Sequence, residues 1–254
     1  MKKTKSQNKT KYIHFPNPPI VEAVLDIYVK LPVEFTINNL ETFHEYVKDT
    51  FPEKLPRVLH ALNFNISSEG IASSSSSGGP DGYLFKSTAE NKIVQARKDG
   101  FSFNKLKPYQ NWKTFRTEAR KLWNLYFKIA KPLEITRIAL RYINRIEIPL
   151  PINDFKDYIL TNPELAPKLP QELESFFMQL VIPKLDISAK ARIIQTVESP
   201  INNNLPLIFD INVFHEAKFI GNKSEIWEEF EKLHVFKNDI FFDSLTKKAK
   251  ELFK

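Results

Sequence analysis

Residues 82–130 constrain the fold more than any other part of the sequence. Three short runs, residues 82–88, 92–98 and 101–107, are rich in β-branched and aromatic residues, and the tight connections Glu90-Asn91 and Asp99-Gly100 separate them. Asp-Gly between apolar runs is a strong hairpin signal, because glycine tolerates the backbone angles a two-residue turn requires. The spacing predicts an antiparallel meander. Directly after it, residues 111–130 place Trp112, Phe115, Ala119, Leu122, Trp123, Tyr126, Ile129 and Ala130 three and four apart, and Pro132 ends the run. That periodicity is an amphipathic helix whose apolar stripe needs a partner surface. An antiparallel sheet covered by helices follows, an α+β fold.

The rest of the chain repeats the order. Ile20–Lys30 is β-branched and closed by Pro32, residues 38–51 carry a helical stripe, and residues 57–66 form a strand. Residues 134–148 read as a long strand and residues 152–160 as a short helix. Strands follow at 176–187, 189–197 and 205–215, then helices at 224–233 and 239–253. Strand, helix, antiparallel strands and a long helix thus occur twice, in 13–132 and in 133–254. Leu31-Pro32 before Ile37-Asn38-Asn39-Leu40 is echoed by Leu150-Pro151 before Ile152-Asn153-Asp154-Phe155, with Asn38 and Asn153 placed as N-caps. The expected architecture is two quasi-equivalent β-α-(antiparallel strands)-α halves packed as one module. Residues 1–12 are polar and lysine-rich, a disordered basic arm by composition. Residues 67–82, with Ser73 to Ser77 followed by Gly78-Gly79-Pro80, read as a flexible surface loop inside the first half.

Composition narrows the function classes. The 254 residues contain no cysteine, which removes disulfides, a thiol nucleophile and any Cys-ligated metal. The basic N-terminus runs into Pro16-Asn17-Pro18-Pro19 with no apolar h-region, unlike a signal peptide. No apolar run approaches the ~18–20 residues of a membrane span. A cytoplasmic protein with no membrane partner is expected.

Positive charge is concentrated. Residues 83–145 hold fifteen Lys/Arg against four Asp/Glu, a net of +11, while 13–82 and 146–254 are net acidic and the whole chain is +7. Such a block is the electrostatic footprint of an anionic partner. Its candidate anion-binding residues are Arg97, Lys105, Lys107, Lys113, Arg116, Arg120 and Arg137, expected to share one surface because consecutive elements usually pack as neighbours. Arg137, Arg141 and Arg145 fall on one face of a strand, able to hold phosphates or carboxylates. The alternative for that row is structural ion pairing. Arg141 and Arg145 would then pair with Glu22 and Asp26, which align with them across the repeat.

Catalytic constellations are weak. Glu22 and Asp26 would stand about 13 Å apart along a strand, beyond the roughly 5–9.5 Å of a glycosidase pair. The histidines at 14, 44, 60, 215 and 234 make no metal-ligand spacing, and the six glycines form no phosphate-cradling loop. No catalytic residue, metal or cofactor is indicated.

Three stretches carry a family likeness: Asn17-Pro18-Pro19-Ile20-Val21-Glu22-Ala23-Val24, Arg137-Ile138-Ala139-Leu140-Arg141-Tyr142-Ile143-Asn144-Arg145, and Lys237-Asn238-Asp239-Ile240-Phe241-Phe242-Asp243-Ser244-Leu245-Thr246. Asp210-Ile211-Asn212-Val213-Phe214 is a weaker fourth. Together they resemble a sporadically distributed prokaryotic family of conserved proteins of unknown function. The resemblance spans nearly the whole chain and implies one integral module; it implies no activity, and its patchy distribution is similar to that of defence-associated genes. The expected function is a non-enzymatic binding subunit that engages nucleic acid, or a nucleic-acid-handling protein partner, through residues 83–145. An enzyme acting on a phosphorylated or nucleotide-like substrate, and a scaffold in a multi-protein or homo-oligomeric assembly, remain as alternatives.

Overall fold

The computed structural model describes residues 12–67, 70–171, 173–219 and 225–254, with backbone alone for 59–78. The chain builds one nine-stranded sheet, every neighbouring pair antiparallel, in the order β2-β3-β4-β5-β1-β6-β9-β8-β7. The strands are β1 (Ile20–Lys30), β2 (Glu53–Ser67), β3 (Gly70–Ser87), β4 (Lys92–Arg97) and β5 (Gly100–Leu106), then β6 (Glu134–Pro149), β7 (Phe177–Lys184), β8 (Ala189–Val197) and β9 (Asn204–Phe219). The four α-helices among the described residues are α1 (Glu41–Val47), α2 (Trp112–Ala130), α3 (Glu225–Ser244) and α4 (Lys247–Glu251). The fold is α+β.

β1 and β6 pair at the centre, with Leu25 opposite Leu140 and Ile27 opposite Ile138. Side chains alternate across a pleated strand, so Ala23, Leu25 and Ile27 on β1 share a face with Phe101 and Phe103 on β5 and Tyr142 on β6. All six are fully buried. α2 covers this face: Trp123 and Tyr126 lie against Phe101, each with ring centroids 5.8 Å away, and Phe115 stacks on Phe103. α3 covers the other half, with Phe241 against Phe209. The core is one apolar layer between the sheet and its helices.

Local chemistry sets the boundaries. The Asn111 side chain caps α2 by accepting a hydrogen bond from the Thr114 N–H at 2.9 Å. At the other end Lys131 adopts a left-handed conformation, φ 46°, just before Pro132. Gly100 opens β5 because β1 passes too close for a side chain; a Cβ there would meet the Ile27 carbonyl oxygen at 2.2 Å.

Several expectations are corrected. The serine-rich stretch expected as a loop is strand from Gly70 onward, paired with β2; residues 68 and 69 lie outside the described residues, as does the basic arm except Tyr12. A β-hairpin satisfies backbone hydrogen bonds whatever the side chains, so a run of serines does not forbid pairing. The short helix expected at 152–160 is a single 3-10 turn, Phe155–Asp157, capped by Asp154 and not Asn153. The 3-10 turn Ile37–Leu40, which leads into α1, is capped by Thr36 and not Asn38. The two C-terminal helices expected at 224–233 and 239–253 are one continuous α3 with the short α4 after it. No helix among the described residues is long and apolar enough to cross a membrane.

Candidate anion-binding face

The face opposite the helices is polar. Glu22, Val24, Asp26 and Tyr28 of β1 point to it, as do Ser102 and Asn104 of β5 and Arg137, Ala139 and Arg141 of β6. A cavity of about 340 Å³ lies over them, and Arg57, Gln95, Arg97, Arg192 and Asn212 complete its lining. Five arginines therefore meet two carboxylates, Glu22 and Asp26, around one concavity.

Most of these charges are already engaged. Arg97, 4% exposed, donates from Nη2 to Asp26 and from Nε to Asp99, both at 2.9 Å. Burial alone would lower its pKa; the carboxylates of Asp26 and Asp99 outweigh that and hold it above the usual arginine value. Tyr126 of α2 donates its hydroxyl to the Arg97 carbonyl at 2.8 Å, tying this edge to the helix layer. Arg141 forks onto Asp210, with Nε 2.9 Å from Oδ1 and Nη2 2.6 Å from Oδ2, and those hydrogen bonds raise its pKa. Arg57 pairs with Asp81. Arg145 pairs with Glu147 and, at 3.0 Å, with Glu198. Glu22 accepts a hydrogen bond from Asn104 at 2.7 Å.

The expected partnership of Glu22 and Asp26 with Arg141 and Arg145 is therefore rearranged. Asp26 takes Arg97, two strands away, and Arg141 and Arg145 turn to acids on their own strand, on β9 or in the loop after β8. The reason is register. Arg141 sits opposite Val24 on β1 and opposite Asn212 on β9, so its side chain reaches Asp210, a diagonal neighbour on the same face of β9.

Two arginines stay without an acid. Among the described residues Arg137 and Arg192 have neither a hydrogen bond nor an ion pair. The Arg137 guanidinium lies between two rings, 5.1 Å from the Tyr28 centroid and 4.6 Å from that of Phe214. Arg192 and Arg141 flank Asn212 in one cross-strand row, β6 to β9 to β8, so their Cα atoms stand roughly 9–10 Å apart. The Asn212 Oδ1 is buried between them with no hydrogen-bond partner.

The seven basic residues expected to share one surface are divided between the two sides of the molecule. Arg97 and Arg137 are on the helix-free face. Lys105 alternates to the helix side and donates to the Glu90 carbonyl, with burial and then the nearby Lys92 lowering its pKa. Lys107 is exposed in the turn after β5, and Lys113, Arg116 and Arg120 lie along α2. There α3 neutralises part of the charge: Arg116 pairs with Glu231, and the Arg120 guanidinium sits 5.5 Å from the Trp227 ring. A helix read alone shows its own charges and not those of the acidic helix packed beside it.

Sequence reasoning missed Arg57, Arg192 and Asp210. Arg192 had a usable signal, since Ala189-Lys190-Ala191-Arg192-Ile193 alternates small or apolar with basic residues. Asp210 opens the weaker fourth stretch but carried no role there, and Arg57 had no signal; only the sheet order brings both to this face. A comparison with protein-family models finds no match to the chain, and a comparison with curated proteins finds none either.

Proposed function

We propose that this chain is a non-enzymatic binding subunit that engages single-stranded nucleic acid, or the backbone of a comparable polyanion, across the helix-free face of its sheet. One observation carries the reading: five arginines converge on one concave sheet face, and two of them, Arg137 and Arg192, have no carboxylate partner among the described residues. Arginine forks fit phosphate oxygens, and the half-buried Tyr28 beside Arg137 offers ring surface where a base can stack. The exposed Lys113 and Lys107 on the far side would attract a polyanion at long range without holding it.

Two finer readings accompany this one. Membership of the sporadically distributed prokaryotic family rests on the three quoted stretches. The quasi-repeat is supported by the strand order. Outward from the central β1–β6 pair, the first half runs β5, β4, β3, β2 and the second runs β9, β8, β7. In each half the first strand is central and the last one lies beside it.

The experiment is fluorescence anisotropy with a labelled oligothymidylate at low and moderate salt. Wild-type binding is expected to weaken with salt, and the Arg137→Glu/Arg192→Glu double variant to bind at least about tenfold more weakly. Its salt slope should be shallower by about 1.4, from roughly 0.7 per lost single-strand phosphate contact. Arg116→Glu/Arg120→Glu, on the helix side, should change the affinity much less. No wild-type binding, or equal losses in both double variants, overturns the assignment to this face.

A further inference from the structure

Beneath the N-terminal segment lies a second, larger cavity of about 580 Å³, on the helix side and remote from the arginine face. Residues 12–19 form one wall. They are held down where the Asn17 N–H donates to the Phe253 carbonyl at 3.1 Å and where Phe15 packs on Phe242 and Phe253. The other walls are the loop before α2, β6 and α3. Aromatic rings dominate the lining, with Tyr12, Phe15, Tyr109, Trp112, Phe241 and Phe242 all contributing. The three stretches that carry the family likeness, distant in sequence, all reach this cavity: Pro18, Pro19 and Ile20 from the first, Asn144 from the second, Lys237 and Asn238 from the third.

Lys237 is the unexplained group. The residue is 7% exposed, and its Nζ lies 3.9 Å from the centroid of the Tyr142 ring. Among the described residues it has no hydrogen bond and no ion pair. An amine removed from water without an anion is costly, and a ring face compensates only in part. Nearby acids are committed elsewhere: Glu231 accepts from the Trp112 indole at 3.0 Å and pairs with Arg116, and Asp239 accepts from Tyr12.

We infer that this cavity binds a small organic acid with an apolar body, whose carboxylate meets the Lys237 amine while its body lies among the aromatic rings. A single cation calls for a single negative charge, and the ring-lined walls call for an apolar remainder. The cavity falls within the size range of ordinary small-molecule sites. Asn238, next to Lys237 on α3 and also in the lining, has a side-chain amide that can help orient the carboxylate, whereas the Asn144 amide already donates to the Phe209 carbonyl at 2.9 Å.

Binding is coupled to a proton. Burial lowers the Lys237 pKa to about 7. The titratable and charged groups around it are His234, Glu231 and Asp239 on α3, Tyr142 on β6, Tyr109 before α2, Arg116 on α2, and Tyr12 and His14 at the N-terminal wall. A bound carboxylate favours the ammonium form and raises that pKa, so a ligand arriving already ionised at pH 8 draws a proton from solvent.

Isothermal titration of the full chain with 3-phenylpropionate, indole-3-acetate and octanoate tests this, with the corresponding primary amides as neutral controls. At least one acid is expected to bind at millimolar concentration or below. Its amide, and the acid with Lys237→Met, should each bind about tenfold or more weakly, the loss expected when one member of a charge pair is removed. Repeating the wild-type titration at about pH 8 in buffers of different ionisation enthalpy should show net proton uptake, a measurement that needs no variant. Absence of binding by all three acids overturns the proposal. Equal affinity for acid and amide, undiminished binding by a folded Lys237→Met protein, or zero proton uptake would each do the same.

Discussion

At the scale of single residues, the decisive pair is Arg97 with Asp26. Arg97 is almost wholly enclosed, and the hydrogen bonds to Asp26 and Asp99 hold its charge in place. Removing one partner of a buried pair leaves a desolvated charge and typically costs about 3–5 kcal/mol. Asp99 is half exposed and remains as a partial partner, so Asp26→Asn should cost about 3 kcal/mol, the low end of that range. Glu22 differs: it accepts a hydrogen bond from Asn104, and its charge is a minor influence on Arg141, behind the Asp210 hydrogen bonds. Glu22→Gln keeps an acceptor oxygen there and should stay within about 0.5 kcal/mol of wild type. Urea unfolding of the two variants checks the contrast. A larger loss from Glu22→Gln would mean that the β6 arginines depend on it after all. Sequence alone could not rank these acids. Both sit on the same face of β1, and only the strand order β4-β5-β1 carries Arg97 to Asp26 and not to Glu22.

At the scale of elements, α3 shows what periodicity can and cannot reveal. The meander, α2 and the central strands were legible because their apolar spacing matches the core they face; β1 begins and ends where its β-branched run does. α3 was read as two helices because His234, Lys237 and Asn238 interrupt its apolar stripe. The helix continues because those polar residues face the ring-lined cavity, where the His234 ring stacks on Trp112 with centroids 4.5 Å apart and planes 6° from parallel. Burial, followed by the nearby charges of Lys237 and Arg116, lowers the His234 pKa to about 3. The unfolded chain protonates this imidazole near its ordinary value of about 6.5, while the folded chain keeps it neutral down to about 3. Between those values the unfolded state binds more protons, so stability falls as pH falls, with a slope of up to about 1.4 kcal/mol per pH unit from this residue. His234→Phe retains a ring against Trp112 and removes the proton. Urea melts between about pH 4 and 7 should show a shallower acid loss in the variant than in wild type. Parallel profiles would mean that the imidazole is solvated in the folded protein.

At the scale of the whole molecule, the +11 excess of residues 83–145 is not a patch. Strand alternation sends Arg97, Arg137 and Arg141 to one side and Lys105 to the other, and α3 sets acids against α2. Charge was legible as an amount per segment and illegible as a distribution, because a sheet divides consecutive residues between two opposite faces. The strand order puts the junction between residues 12–132 and 133–254 inside the sheet itself. From Glu22 to Tyr28, β1 pairs without interruption with Ile143 to Arg137 on β6, and the apolar layer crosses that junction, with Leu25 and Leu140 both fully buried. Cutting the chain in the turn at 131–133 would leave β1 and β6 as edge strands, each paired on one side only, a template for aggregation. Residues 12–132 and 133–254 expressed separately should therefore be insoluble or lack a cooperative thermal transition. Co-expressed, they should associate into a soluble complex that melts as one unit. Separate halves that each fold cooperatively and do not associate would show that the β1–β6 pairing is a contact between two finished domains and not the centre of a single one.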